Sequence, residues 1–313
     1  MNRTPLGKIA VVGSGAVGCY YGGMLAHAGH DVHFLMRADF ETVRRDGLRI
    51  FTKGGEVHLP RVQCAATPDE IGAADLVIVS LKATANAELA RLLPPLIGER
   101  TGLLTLQNGL GNERFLSERW GAERVMGGLC FVCINRTAPG VIRHLDHGSI
   151  SIGESGRSVS ERVRAIAGAF SAVGVEANAV DDLDGERWRK LLWNIPFNGL
   201  SIAAGANVAE VLADAGLRVL ARSLMGEVLD AARRLGHGIP DSFADWQIER
   251  SDSMGPYRPS SMIDYEMGRP VEVEAIWGEP LRQGLATGAK MRRLEFLHGI
   301  IRHVTERRAL RGA

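Results

Sequence analysis

Residues 187 to 199 read RWRKLLWNIPFNG, which places Lys190, Asn194 and Asn198 four residues apart among mostly apolar neighbours. On an α-helix these three fall within about 80° of one another around the axis and span roughly 12 Å, so one face carries an ammonium and two carboxamides. An ammonium can deliver a proton to a carbonyl oxygen, and carboxamides can hold an oxygen-bearing substrate. The spacing alone equally allows a surface helix with a lysine reaching into water and two solvated asparagines. Leu191, Leu192, Trp193 and Phe197 point in the other directions. Pro196 has no N–H and crowds the carbonyl of Leu192, which predicts a kink that would redirect Asn198.

A second set of residues suits phosphate chemistry. Gly13-Ser14-Gly15-Ala16-Val17-Gly18 follows the apolar run KIAVV and opens a helical pattern. In that context Gly13 permits a tight turn, Gly15 lets backbone approach a pyrophosphate, and Gly18 lets helix and strand pack closely. The N–H groups at the start of the helix then face the phosphates. The next strand ends in Arg37 rather than in an acidic residue, and a guanidinium fork suits a ribose 2′-phosphate, so NADP(H) is expected over NAD(H). Asp39, two residues on, opposes that preference.

The elements that must position these groups follow from periodicity. Residues 8–13, 31–36, 75–80 and 102–106 read as strands, with helices or helical turns at 16–28, 41–46, 68–73 and 84–96. Alternation of this kind predicts a parallel sheet of βαβ units. Shorter strands at 125–134, 141–144 and 149–152 extend or cap it. From Asp184 the pattern is helical almost to the end, with the polar stretch Asp181-Asp182-Leu183-Asp184-Gly185 at the boundary. The expected fold is α/β, with a dinucleotide-binding domain over 1–180 and an all-α domain over 181–313. The basic tail from Arg307 to Ala313 is expected to be frayed and solvated.

Composition excludes several classes. The 313 residues are 45% hydrophobic, and 37 basic against 36 acidic residues give a net charge of +1. No global field draws such a chain to nucleic acid or to an anionic membrane. The uncharged run from Ile9 to Ala26 contains five glycines and reads as a turn, not a span, and a cytoplasmic protein is expected. Cys130 and Cys133 have the CxxC spacing without a second ligand pair and are expected to pack in a strand, so no metal is anticipated.

The segments Gly13 to Gly18, Ser80-Leu81-Lys82, Leu106-Gln107-Asn108-Gly109, Trp188 to Asn198, Pro259-Ser260-Ser261-Met262 and Gly268 to Ile276 occur in the order of the motifs of the ketopantoate reductase (2-dehydropantoate 2-reductase) family. The chain resembles that family over nearly its whole length. The resemblance implies a Rossmann-type domain followed by a helical domain similar to that of 6-phosphogluconate dehydrogenases, and NADPH-dependent reduction of 2-dehydropantoate to pantoate for pantothenate and coenzyme A synthesis. It also implies that Lys190 is the catalytic lysine at the ketone oxygen, with Glu272 the carboxylate beside it. A neighbouring carboxylate favours the charged ammonium that carries the proton. Ser260 resembles the serine that holds the substrate carboxylate, and Asn194 and Asn198 the asparagines that contact substrate oxygens. Lys82 and Asn108 resemble residues at strand ends that meet cofactor and, for Asn108, substrate.

Two departures stand out. Many members carry an asparagine followed by glycine ten residues past the position of Asn198, where this chain has Asn207-Val208 one position earlier. The stretch from Met262 to Glu272 is also one residue shorter than the family pattern if the two methionines are matched, whereas matching Ser260 through the Pro-Ser pair restores the spacing to Glu272, with Ser261 the neighbouring choice. A reductase of another 2-oxoacid and a non-catalytic NADP(H)-binding sensor are the competing readings. The apolar helices of the second half could also bury surface in a homodimer, since periodicity cannot separate a core face from a partner face.

Overall fold

The structure, a computed structural model, describes the backbone of residues 6–312 and the side chains of residues 6–310. The chain forms two compact units; the first ends at Leu183 and omits Asn108–Gly111, and the second joins Asn108–Gly111 to Asp184–Ala313. Four residues from the middle of the α/β half therefore pack with the helical half.

The first unit is built on one sheet of ten strands: β1 (Lys8–Val12), β2 (Asp31–Leu35), β3 (Leu48–Thr52), β4 (Gly55–Leu59), β5 (Gln63–Ala65), β6 (Ala74–Val79), β7 (Ile97–Thr105), β8 (Val125–Ala138), β9 (Val141–Gly153) and β10 (Ala177–Ala179). Their order is β4-β3-β9-β8-β7-β6-β1-β2-β5, with β10 on β9. The run from β5 to β8 is parallel throughout. Side chains of β1 alternate between two apolar layers: Ile9 and Val11 join one cluster, and Ala10 and Val12 the other. A strand buried on both faces reads as the continuous apolar run seen in the sequence.

Helices α1 (Ala16–His27), α2 (Phe40–Asp46), α3 (Pro68–Ile71), α4 (Asn86–Leu92), α5 (Asn112–Trp120) and α6 (Glu161–Ala172) cover the sheet. Thr67 and Glu70 cap α3 reciprocally. The sequence reading lacks β5 and the β3–β4 hairpin, and it breaks β9 in two. In the hairpin only Leu48, Ile50 and Leu59 are buried, so its apolar signal is sparse. β9 is continuous from Val141 to Gly153, although His147 takes a positive φ of 58° beside a register shift against β8.

The second unit contains α7 (Leu183–Ala204), α8 (Val208–Ala213), α9 (Ala215–Arg234), α10 (Ser242–Asp252), α11 (Ser260–Glu266), a π-helical turn over Glu274–Gly278, α12 (Glu279–Ala286) and α13 (Arg292–Gly312). Its core joins Trp188, Leu192, Ile195 and Phe197 of α7 to Leu224 and Val228 of α9 and to Trp277. Leu110, from the four-residue insert, lies in the same core. α13 continues through Gly312, so the tail expected to fray is helical up to that residue, its exposed arginines being compatible with a solvated helix. Ala313 lies outside the described residues.

Candidate active site

The glycine loop has the geometry its sequence requires. Gly13 sits at φ 104°, and a Cβ there would lie 2.3 Å from the backbone nitrogen of Leu81. A Cβ at Gly18 would meet the Gly13 carbonyl at 2.4 Å. At Gly15 a Cβ would meet nothing within 4 Å, so this residue borders open space at the start of α1. No side chain caps that helix and no acidic residue lies in its first turn, which leaves the N–H groups around Ala16 and Val17 available to an anion. Two hydroxyls fix the loop: Ser80 donates to the Gly13 carbonyl at 2.8 Å, and Ser14 donates to the Leu35 carbonyl at 2.8 Å. The Ser14 hydroxyl is thus occupied in tying the loop to the end of β2.

Arg37 lies two residues past Leu35 and is exposed. Asp39, expected to oppose an arginine–phosphate contact, is turned inward. Its side chain is buried, accepts from Arg136 at 2.7 Å and lies 3.3 Å from the Gly140 N–H. Its charge is therefore engaged within the first unit. The same Asp39 adds to the burial that pushes the Cys19 thiol up to about 12, against an opposing pull from Arg136. Cys19 stays protonated at neutral pH and is no nucleophile.

On α7 the polar row runs from open to closed. Lys190 is half-buried, Asn194 is 8% exposed and Asn198 is 2% exposed. Burial of this kind excludes a surface helix with two solvated asparagines. The Lys190 ammonium donates to Asn108 Oδ1 at 2.6 Å. Asn198 is spent inside the unit: its Nδ2 donates to the Asn194 carbonyl at 3.1 Å, and its Oδ1 accepts the Ser261 N–H at 3.0 Å. It ties the start of α11 to α7. The helix is unbroken through Pro196. The Ile195 carbonyl, next to the proline, accepts from the Trp277 indole at 3.0 Å. Gly199 makes room for that ring, since a Cβ there would lie 3.0 Å from Nε1.

Asn108 is held by a clamp with no local signature in sequence. The Leu110 N–H donates to the Ala275 carbonyl at 2.9 Å, and the buried Arg187 donates to the Gly109 carbonyl at 3.4 Å. Gly109, at φ 81°, approaches so closely that a Cβ would lie 2.2 Å from the Ala275 oxygen. Ala275 belongs to the π-helical turn, a local widening of the helix that changes which carbonyls are free to accept. Glu272, just before this turn, is 4% exposed. Lys190, Asn108, Asn194, Asn198 and Glu272 thus share one unit. The glycine loop, Arg37 and Lys82 belong to the other, with Lys82 exposed just past β6.

Ser260 is exposed at the first turn of α11, whereas Ser261 is buried with its N–H given to Asn198. Only Ser260 of the two presents its hydroxyl outward. Asn207 caps α8, accepting from the Glu210 N–H at 3.1 Å while Glu210 accepts from the Asn207 N–H at 2.8 Å. The departure at Asn207-Val208 is accordingly a helix cap. Cys130 and Cys133 lie on β8 and form no disulfide, and among the described residues no group of three metal-ligating side chains comes together. No described helix is long and apolar enough to cross a membrane.

The family model for ketopantoate reductase PanE/ApbA matches residues 9–157, and the model for its C-terminal part matches residues 182–305. A 2-dehydropantoate 2-reductase of Nostoc sp. is 41% identical over 93% of this chain and 93% of its own length. The chain belongs to the ketopantoate reductase family. Family membership makes it an oxidoreductase of a nicotinamide-dependent family. Among solved structures, the 2-dehydropantoate 2-reductase of Geobacter metallireducens GS-15 superposes with a TM-score of 0.92 at 44% identity, covering 95% of this chain and 99% of that one. That of Methylococcus capsulatus superposes with a TM-score of 0.89 at 30% identity, covering 96% and 98%.

Proposed function

We propose that this protein reduces 2-dehydropantoate to pantoate with NADPH, and that Lys190 supplies the proton. The observation that carries the reading is the Lys190 ammonium, fixed by Asn108 at 2.6 Å on the same helix face as Asn194, in a member of this family. The open space at Gly15 and the uncapped start of α1 suit a pyrophosphate, and the exposed Arg37 suits a 2′-phosphate. NADPH, when bound, supplies the hydride that attacks the ketone carbon. Lys190 hydrogen-bonds the ketone oxygen and transfers its proton as negative charge develops there, so hydride and proton together convert C=O to CH–OH. Asn108 orients the ammonium, Glu272 supports its charge, and Ser260, exposed at the start of α11, holds the substrate carboxylate. Asn194, buried one turn beyond Lys190 on the same face, is the substrate-facing carboxamide of the row. Asn198 acts through its ties to Asn194 and Ser261.

On this reading the 1–180 half binds the nucleotide and the 181–313 half, with Asn108 added, performs the proton chemistry. The partner is a small 2-oxoacid, with no nucleic acid or membrane surface, and the setting is the cytoplasm. Asn207, one position before the asparagine that many members carry, is engaged as a helix cap, which favours as a second reading a related branched 2-oxoacid. The test is the fall in absorbance of NADPH or NADH with 2-dehydropantoate and with a panel of branched 2-oxoacids. Oxidation of NADPH fastest with 2-dehydropantoate is expected. A purified protein that turns over none of them rejects the enzyme reading in favour of a cofactor-binding sensor.

A further inference from the structure

The four-residue graft Asn108–Gly111 leaves the sheet unit after Gln107 and the chain returns to that unit at Asn112. Both flanking side chains are buried, at 4% and 1% exposed, and the reductase chemistry uses neither. One residue joins them. Asn86, at the start of α4, accepts from Gln107 Nε2 at 2.7 Å and donates its own Nδ2 to Asn112 Oδ1 at 3.1 Å. The buried Thr105 hydroxyl completes the row, donating to Gln107 Oε1 at 3.0 Å and accepting the Gln107 N–H at 3.3 Å. The bonds run in one sense, from hydroxyl through three carboxamides, and that sense fixes which way each carboxamide faces. Asn86 lies 21 positions from Gln107 and 26 from Asn112, so the bridge is a tertiary contact and no by-product of helix or strand.

We propose that Asn86 is a positioning residue of the reductase: it pins both ends of the graft and so sets where Asn108 meets the Lys190 ammonium. The contacts of Gly109 with Arg187 and of Leu110 with Ala275 hold the tip of the graft, and the Asn86 bridge holds its base. Asn108 belongs to the base, directly after Gln107. A tip held without its base is free to pivot, and the 2.6 Å bond from Lys190 to Asn108 Oδ1 is sensitive to that motion. A misplacement of about 1 Å can cost about 10²-fold in rate. A buried row of hydrogen-bonded amides is suited to preventing it, because such networks stiffen the segments they join.

This role rests on Lys190 as the proton donor, and the measurements separate the two. Asn86→Ala, read at saturating NADPH and 2-dehydropantoate, should lower kcat about tenfold. In an Asn108→Ala background the same change should lower kcat by less than about a further twofold, because a residue that acts through Asn108 has nothing left to position. Asn86→Leu, which keeps the branched shape and drops both polar groups, should behave alike and guards against a variant that does not fold. Hydrogen exchange of the Leu110 amide, bonded to the Ala275 carbonyl, reads the graft without turnover. It should quicken about tenfold in either variant while the amides of Leu103 and Leu104 in β7 keep their wild-type rates. A folded Asn86 variant with wild-type kcat, a loss that persists in full on Asn108→Ala, or unchanged exchange at Leu110 would each overturn the proposal. A wild type inactive toward every 2-oxoacid rejects the function itself and this role with it, an outcome distinct from an active wild type whose Asn86 variants keep their kcat.

Discussion

Gly13 and Gly109 both leave a strand of the same sheet, and both hold a positive φ with backbone where a side chain would stand, yet they differ in partner. Gly13 presses against Leu81 within its own unit, while Gly109 presses against the Ala275 carbonyl, 166 positions along the chain, in the helical unit. The first glycine shapes a phosphate loop from residues close in sequence and sheet. The second anchors a four-residue graft that carries Asn108 to Lys190. On the proposed roles, nucleotide recognition and proton delivery fall to different units, each with its own glycine lock.

That division is broken or sharpened most by Lys190→Ala. If Lys190 donates the proton, kcat should fall about 10²- to 10⁴-fold. NADPH affinity, read by fluorescence titration, should stay the same, because the glycine loop and Arg37 lie in the other unit. A variant with wild-type kcat removes the proton-donor assignment, and a large loss of NADPH affinity removes the separation of roles.

The two locks also differ in how visible they are in a sequence. Gly13 to Gly18 stands between an apolar strand and a helix, so local pattern predicts both its conformation and its ligand. Lys190, Asn194 and Asn198 are marked by helical spacing, which gives their common face but not their depth. The structure separates them, with Lys190 half-buried and Asn198 enclosed and bonded to Ser261. Asn198 therefore reads as a substrate contact in sequence and as a structural tie in the fold. Leu110 and Ala275 carry no local signal, because their function arises from a contact between segments far apart in the chain. Arg187 does stand inside RWRKLLWN, where a charged residue among buried neighbours is the one hint of a buried partner. The capping box at Asn207 and Glu210 was legible from its spacing, but a comparison of motifs directs attention to substrate instead.

Gly109→Ala tests the second lock directly. The added methyl would meet the Ala275 carbonyl, and the positive φ would strain any residue with a Cβ. A backbone forced into such a region costs about 1–3 kcal/mol, so the thermal midpoint should fall. Displacing Asn108 leaves the ammonium without its fixed partner, and kcat should drop about tenfold or more at saturating NADPH. A normal kcat in the folded variant would mean that the graft does not position Lys190.

Arg37→Ala sharpens the first side of the comparison and has the smallest expected effect. Arg37 is exposed, and Asp39 is held by Arg136 and Gly140, so the guanidinium faces no carboxylate from that residue. A charge-assisted hydrogen bond contributes about 1.5–3 kcal/mol where it is well made, and exposure places this one toward the lower end. The dissociation constant for NADPH should rise about tenfold, while that for NADH, which has no 2′-phosphate, should not change. The effect should also shrink as salt rises, since screening weakens an exposed contact with a phosphate. At saturating NADPH the turnover should match the wild type, because Lys190 and Asn108 lie in the other unit. Equal weakening of both cofactors would assign Arg37 to loop structure, and a lowered kcat at saturation would join the two units in a function that the geometry divides between them.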